Sequence, residues 1–203
     1  MVKTIAVAIT GASGAVYALK LLACLVKAGV HIYVMVSKPG QIVINAETDL
    51  KIPSQPRDIE RVLSEVYQAA PGQLQVFGRE QWFAPVASGS NPPDAMVVCP
   101  CTSGTLASIA CGASKNLIER AADVIMKEQR KLILVIRETP LSVIHLENML
   151  RLAKMGVVIM PANPGFYHDP KSIQDLVDFM VARILDHVGV EQTLLKPWGD
   201  PVL

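Results

Sequence analysis

The sequence predicts an α/β domain of three layers, with helices on both faces of a mostly parallel central sheet. Two observations carry this. Apolar runs of strand length alternate with segments of helical periodicity nearly to the end of the chain. Strand-like runs also end in small, hydroxyl-rich turns that open a helical pattern, as at Thr10–Gly14 and Pro100–Thr105. With 203 residues the chain fits one domain, 1–203, able to bury roughly 70% of the surface its unfolded form exposes.

Residues 2 to 9 read as a buried parallel strand, and Val16 to Val26 places Leu19, Leu22, Leu25 and Val26 on one helical stripe. Between them the turn Gly11-Ala12-Ser13-Gly14 presents free backbone N–H groups at a helix N-terminus, where partial positive charge collects. Gly11 and Gly14 let the backbone come close, and the Ser13 hydroxyl either caps the helix or meets a ligand. No Asp or Glu occurs in the first 46 residues. The turn therefore predicts a bound anion, a phosphate first of all; the alternative is a helix cap with no ligand.

The second strand, His31 to Val36, ends in Ser37-Lys38, a hydroxyl and a cation. A dinucleotide fingerprint needs G-x-G-x-x-G and an acid about 20 residues on, and neither is present. A mononucleotide such as FMN fits this pair better than NAD. Gln41 to Thr48 and Ile59 to Gln68 then read as helices and Gln73 to Phe77 as a strand. Arg79 to Asp94, with Pro85, Pro92, Pro93, Gly89, Ser88, Ser90 and Asn91, is the one long irregular segment. Its Trp82 and the Ala87-Ser88-Gly89-Ser90 stretch supply an aromatic wall and hydroxyls to a pocket, or else form a surface excursion at a subunit contact.

Ala95 to Cys99 is the next buried strand. The turn Pro100-Cys101-Thr102-Ser103-Gly104-Thr105 follows it as the glycine turn follows the first, and in an open parallel sheet such turns meet at the crevice where ligands bind. Asn116 to Glu128 is a helix with Ile118, Ala122, Ile125 and Met126 inward and Arg120 and Lys127 outward, in the simplest reading a solvated charged face. Leu132 to Ile136 is a strand ending in the charged pair Arg137-Glu138. Ser142 to Met155 forms a helix, and Val157 to Met160 a strand. Pro161 to Pro170 is a loop holding Phe166-Tyr167-His168. Ile173 to Val188 closes the fold, burying Leu176, Val177, Met180, Ile184 and Leu185 and leaving Arg183 outside. The remaining tail, about 189–203, carries Trp198 and is expected to dock on a neighbouring copy.

Composition excludes several classes. A formal net charge of +1 and the lack of Arg/Lys-rich runs give no general attraction to nucleic acid or to a membrane surface. The hydrophobic fraction is 51%, yet no apolar run approaches the roughly 18 residues of a membrane span. The surplus apolar surface is expected in subunit contacts. Partners should be small molecules and copies of the chain itself. The Met1-Val-Lys start runs into a strand, so the chain is expected to be cytoplasmic. Cys24, Cys99, Cys101 and Cys111 read as reduced thiols. Cys99-Pro100-Cys101 lacks a second cysteine pair, and His31, His145, His168 and His187 are scattered, so no metal site is expected.

These blocks together resemble the flavin prenyltransferases of the UbiX type, within the Rossmann-like (flavodoxin-like) flavoproteins related to cysteine decarboxylases. The resemblance spans nearly the whole chain. It rests on Thr10 to Ala15, Ser37-Lys38, Glu47-Thr48-Asp49, Ala87 to Ser90, Cys99-Pro100-Cys101, Asn116 to Val124, Lys127-Glu128, Arg137 to Pro140, Pro164 to His168 and Pro197-Trp198. It implies transfer of a dimethylallyl group from dimethylallyl monophosphate to reduced FMN, giving prenylated FMN for UbiD-type decarboxylases. It implies FMN binding by Gly11, Ala12, Ser13, Ser37, Thr102, Ser103, Gly104, Thr105 and Arg137. It assigns the donor to Tyr167 and Arg183, with Arg120 and Lys127 arriving across a subunit contact and Ser90, Trp82 and Trp198 around them. Glu138 and Ser13 are the implied catalytic residues, and the implied assembly is a homododecamer.

The chemistry asks for these residue types. Breaking an allylic carbon–oxygen bond leaves positive charge on the allyl unit and extra negative charge on the phosphate, which arginine, lysine and a tyrosine hydroxyl stabilise. No D-D-x-x-D cluster is present to hold magnesium for a diphosphate, so the donor is expected to be a monophosphate and the reaction metal-independent. Ring closure needs one placed carboxyl group, for which Glu138 is the candidate; its plain alternative is a salt bridge with Arg137 or Lys127. Arg120, Lys127 and Arg183 have as theirs an ion-pair network between subunits. Two rival functions are a cysteine decarboxylase on the same fold and a flavin carrier without chemistry.

Overall fold

The first strand, β1 (Thr4–Ile9), is apolar at every position after Thr4, and it is buried because it lies in the middle of the sheet with helices on both faces. The computed structural model describes residues 3 to 199. After β1 come helix α1 (Ala15–Lys27), strand β2 (His31–Val36), helices α2 (Lys38–Glu47) and α3 (Pro56–Tyr67), strand β3 (Leu74–Phe77), strand β4 (Ala95–Cys101), helices α4 (Ser103–Ala110) and α5 (Leu117–Lys127), strand β5 (Lys131–Ile136), helix α6 (Val143–Lys154), strand β6 (Val158–Pro161) and helix α7 (Ile173–Val188). The six strands are all parallel in the order β3-β2-β1-β4-β5-β6. The chain therefore reverses its direction of travel across the sheet between β1 and β4, and a crevice opens there at the carboxyl ends of the strands.

Side-chain alternation along β1 builds the two halves of the core. Ile5, Val7 and Ile9 face one way, onto Leu22 and Leu25 of α1 and Ile184 and Leu185 of α7. Ala6 and Ala8 face the other, with Met96 and Val98 of β4, Leu106 of α4, Ile118 and Ile125 of α5, and Leu152 of α6. In the β1–β2 register Ile9 is level with Val36. The Gly11–Gly14 turn and Ser37 consequently leave the sheet side by side.

The three-layer α/β class stands, and several boundaries move for local reasons. Helix α2 starts at Lys38 rather than Gln41, because the Ser37 hydroxyl accepts a hydrogen bond from the Gly40 N–H at 3.0 Å and caps the helix three residues earlier. Strand β4 continues to Cys101. Helix α4, absent from the sequence reading, spans eight residues of small and neutral types with no amphipathic period, and the Thr102 hydroxyl caps it by accepting from the Thr105 N–H at 3.0 Å. Leu19, Met126 and Leu176 are only partly buried; Leu21 and Ala121 take the deeper positions on their helices.

Helix α6 buries Leu152 but leaves Val143, Ile144, Leu146 and Leu150 more than half exposed along its outer face. That is where the apolar surplus of the composition is displayed. The expected tail divides: within 189–199 Gln192 reaches Asp186 of α7 and Trp198 meets Tyr167, and 200–203 lie outside the described residues. Among the described residues no helix is long and apolar enough to cross a membrane.

The β1 end and the start of α2 approach too closely for side chains. A Cβ on Gly40 would sit 2.6 Å from the Ile9 carbonyl oxygen, and one on Gly11 would collide with the Pro39 ring. Gly40→Ala should therefore cost about 1–3 kcal/mol and lower Tm by roughly 2–12 °C in a thermal melt. Gly104→Ala, whose nearest foreign atom is 3.9 Å from the added carbon, should shift stability by less than about 1 kcal/mol. Equal melting temperatures for the two variants would contradict the close approach.

Candidate active site

At the switch point the Thr10 hydroxyl ties the two central strands together. It donates to the Pro100 carbonyl at 2.7 Å and accepts from the Thr102 N–H at 3.0 Å. Thr102 in turn donates its hydroxyl to Thr105 Oγ1 at 2.9 Å. A cleft of about 260 Å³ opens here, lined among others by Thr10, Gly11, Ser37, Lys38, Thr102 and Thr105 and backed by the apolar Met35, Phe77 and Leu117. Ser103 and Gly104 form the first turn of α4 beside it. The N-termini of α2 and α4 both open toward this region, and helix N-termini favour anions. Among the described residues the amides of Gly11, Ala12 and Ser13 find no acceptor.

The N-terminus of α1 is occupied differently from the sequence expectation. Gly14 is its N-cap, in a left-handed conformation with φ 109°, and Ser13 does not cap the helix. Instead the Glu47 carboxylate, from the last residue of α2, accepts from the Gly14 N–H at 2.8 Å and the Ala15 N–H at 3.1 Å. The Ser13 hydroxyl and the Arg137 guanidinium both lie close enough to Glu47 to favour its charged form. Burial raises the Glu47 carboxyl, but the Ser13 hydroxyl, the two amides and Arg137 outweigh it and hold the group below its ordinary range. An external anion is thus left the amides of 11–13 and the ends of α2 and α4.

Arg137 follows β5 and joins this group. Its Nε is buried with no hydrogen-bond partner among the described residues. A buried donor without an acceptor costs about 1–3 kcal/mol, so this position fits an acceptor supplied by a ligand. Glu138 and Arg137 together line a pocket of about 310 Å³ with Thr139, Pro140, Met149 and Asn163. Its carboxylate accepts from the Thr139 N–H at 3.2 Å. Among the described residues it makes no salt bridge with Arg137 or Lys127. The plain alternative for Glu138 is not what the fold builds.

The residues expected around the donor fall into separate groups. Tyr167 meets Trp198 edge to face at 4.8 Å and Phe179 at 5.7 Å, with His168 stacked on Phe179. Arg183 projects from α7 and pairs with Asp186 at 2.8 Å. On α5, Arg120 donates from Nε to the Ala87 carbonyl at 3.1 Å and pairs with Asp123 at 2.9 Å. Lys127 pairs with Glu128 against the loop of Gly89, and Ser90 lies 3.0 Å from the Ser88 hydroxyl. Trp82 is half exposed beside the fully exposed Phe83. No described pocket is lined by both the α5 and the α7 sets. One chain assembles the flavin-side residues and leaves the cations apart.

Sequence reasoning passed over Glu47 as a site residue, although a signal existed. It is the first acid of the chain, after 46 residues with none. Its lowered pKa fixes the sign of a pH test: the stabilisation it gives is present above the ordinary carboxylate pKa, about 4.3, and is lost as pH falls through the lower folded value. Glu47→Gln should cost roughly 0.3–1 kcal/mol at neutral pH, since the helix end is exposed. The Tm difference from the parent should close in strong acid; a difference that stayed constant with pH would contradict the charge assignment.

Comparison with known proteins agrees with this geometry. The Flavoprotein family model matches residues 2–185. The chain is 55% identical over 196 residues to "Flavin prenyltransferase UbiX" of Pseudomonas aeruginosa, covering 97% of this chain and 94% of that one. The crystal structure of AnUbiX in complex with FMN and dimethylallyl pyrophosphate superposes with a TM-score of 0.86 at 39% identity, covering 98% of this chain and 99% of that one. A dodecameric FMN-dependent UbiX-like decarboxylase from Escherichia coli O157:H7 gives 0.84 at 39% identity, covering 97% and 100%. The chain belongs to the Flavoprotein family and, within it, to the UbiX flavin prenyltransferases.

Proposed function

We propose that the protein transfers a dimethylallyl group from dimethylallyl monophosphate to reduced FMN without a metal, giving prenylated FMN. The observation that carries this reading is the Arg137-Glu138 pair at the end of β5. It sets a buried N–H and a carboxylate, both without a protein partner of opposite charge among the described residues, in one pocket at the carboxyl end of β5. The first suits a bound flavin and the second a proton transfer on it.

The residues divide the work by type. Gly11, Ala12 and Ser13 offer amides, Ser37 a hydroxyl, and Thr102, Ser103, Gly104 and Thr105 a helix N-terminus to the FMN phosphate and its chain, with Arg137 satisfying its Nε on the flavin. Reduced FMN, when bound, supplies the nucleophilic ring and a π face. Tyr167, Arg183, Arg120, Lys127 and Ser90 hold the donor phosphate, Arg120 and Lys127 reaching it from a neighbouring copy. Their attraction grows as the carbon–oxygen bond breaks, which lowers the barrier rather than merely tightening binding. Trp82 and Trp198 face the transient allyl cation, worth about 1–2 kcal/mol each when desolvated. Glu138 takes the ring proton during closure, and the Ser13 hydroxyl works beside it.

The protein works as one flavin-binding unit whose tail, about 189–203, serves assembly. The exposed face of α6 and the separation of the cations within one chain support a homo-oligomer, a dodecamer by analogy with the Escherichia coli structure. The product goes to a UbiD-type decarboxylase in the cytoplasm.

Anaerobic mixing with reduced FMN and dimethylallyl monophosphate, followed by mass spectrometry of the released flavin, should show a five-carbon gain that excess EDTA leaves unchanged. Glu138→Gln should slow the turnover roughly 100-fold or more while FMN still binds. No mass gain, or a Glu138→Gln variant as fast as the parent, contradicts the reading.

A further inference from the structure

We infer that Glu128 and Asp186, with Asp123, set the charge of the donor-phosphate subsite and so cancel the electrostatic advantage that an ester with two phosphates would have over an ester with one. The inference rests on the donor-site reading above. Each of the three cations assigned to the donor carries its own carboxylate. Arg120 pairs with Asp123 at 2.9 Å, Arg183 with Asp186 at 2.8 Å, and Lys127 with Glu128 next in sequence. Three positive charges are matched by three negative ones before any ligand arrives.

Glu128 is held in place rather than free to wander. A Cβ on Gly89 would overlap its carboxylate and come within 2.6 Å of Lys127 Nζ, so the 88–90 loop packs directly on this ion pair. Asp186 is likewise fixed by its neighbours, accepting from Arg183 and from Gln192 Nε2 at 3.4 Å. Side chains in all three pairs are between about a third and a half exposed, with values from 34% to 47%. Their charges are thus screened in part but still felt by a phosphate that desolvates them.

Charge number then decides the preference. A monophosphate ester is close to a dianion at neutral pH, and a pyrophosphate ester carries about one charge more. Three bare cations would attract the more anionic donor more strongly, whereas cations with matched carboxylates remove that advantage. AnUbiX is solved with the pyrophosphate ester bound, so this fold has room for the larger ester. Neutralising one carboxylate raises the subsite charge by one, and the extra ligand charge converts this into a change of about tenfold in preference.

The test compares kcat/KM for the two esters in the intact protein, in Glu128→Gln and in Asp186→Asn. The ratio of pyrophosphate to monophosphate use should rise about tenfold in each variant at low salt. It should return toward the parental value near 1 M salt, where the screening length is about 3 Å. Glu128→Asp should keep the parental ratio. Equal loss of both donors in the variants, or an unchanged ratio, overturns the inference and leaves these carboxylates as supports for the cations alone. A parent protein that prenylates flavin with neither ester defeats the donor-site reading itself, an outcome separate from an unchanged ratio.

Discussion

The structure depends on one constraint: a parallel sheet that reverses direction between β1 and β4 must leave helix N-termini and unpaired amides facing a common crevice. Those groups need negative partners. The chain supplies one itself, the Glu47 carboxylate on the N-terminus of α1. Among the described residues it supplies none for the amides of Gly11, Ala12 and Ser13 or for the buried Nε of Arg137. A phosphate and an acceptor-rich ring have the chemistry to complete the set. Binding and folding thus share one electrostatic requirement, met partly by the protein and partly by its ligand.

The same requirement explains the packing at the crevice. Gly11 and Gly40 are pressed against Pro39 and Ile9, which brings the first turn and the start of α2 close enough for one phosphate to touch both. Thr10 links β1 to β4 through Pro100 and Thr102, so the two ligand-facing turns are fixed relative to each other. Farther out the chain is unfinished. The α5 and α7 cations occupy separate places, and α6 presents Val143, Ile144, Leu146 and Leu150 outward.

Most of the fold was legible because parallel strands buried on both faces leave unbroken apolar runs, as in β1, β4 and β5. Helices with strong amphipathic period, α5 and α7 among them, were legible for the same reason. Helix α4 was not, since SGTLASIA carries no periodic contrast and depends on the Thr102 cap and on packing against α5 and α6. In the site, the glycine turn, Ser37, the Thr102–Thr105 turn and Arg137-Glu138 stood at strand ends where the sequence could mark them. Contacts between distant positions could not be read. Glu47 reaches back 33 residues to Gly14, and Thr10 pairs across 90 residues with Pro100. The grouping of Tyr167 and Arg183 with Arg120 and Lys127 rested on family resemblance, because no described pocket is lined by both sets.

The central claim, that the crevice is built for a phosphate, is tested most directly by comparing FMN with riboflavin, which lacks only that group. Isothermal titration of the intact protein with each should give FMN the lower Kd by about 100-fold or more, the worth of one or two charge-assisted hydrogen bonds. Equal affinities for the two flavins would show that the amides, Ser37 and the helix ends hold no phosphate, and the account would fail at its base.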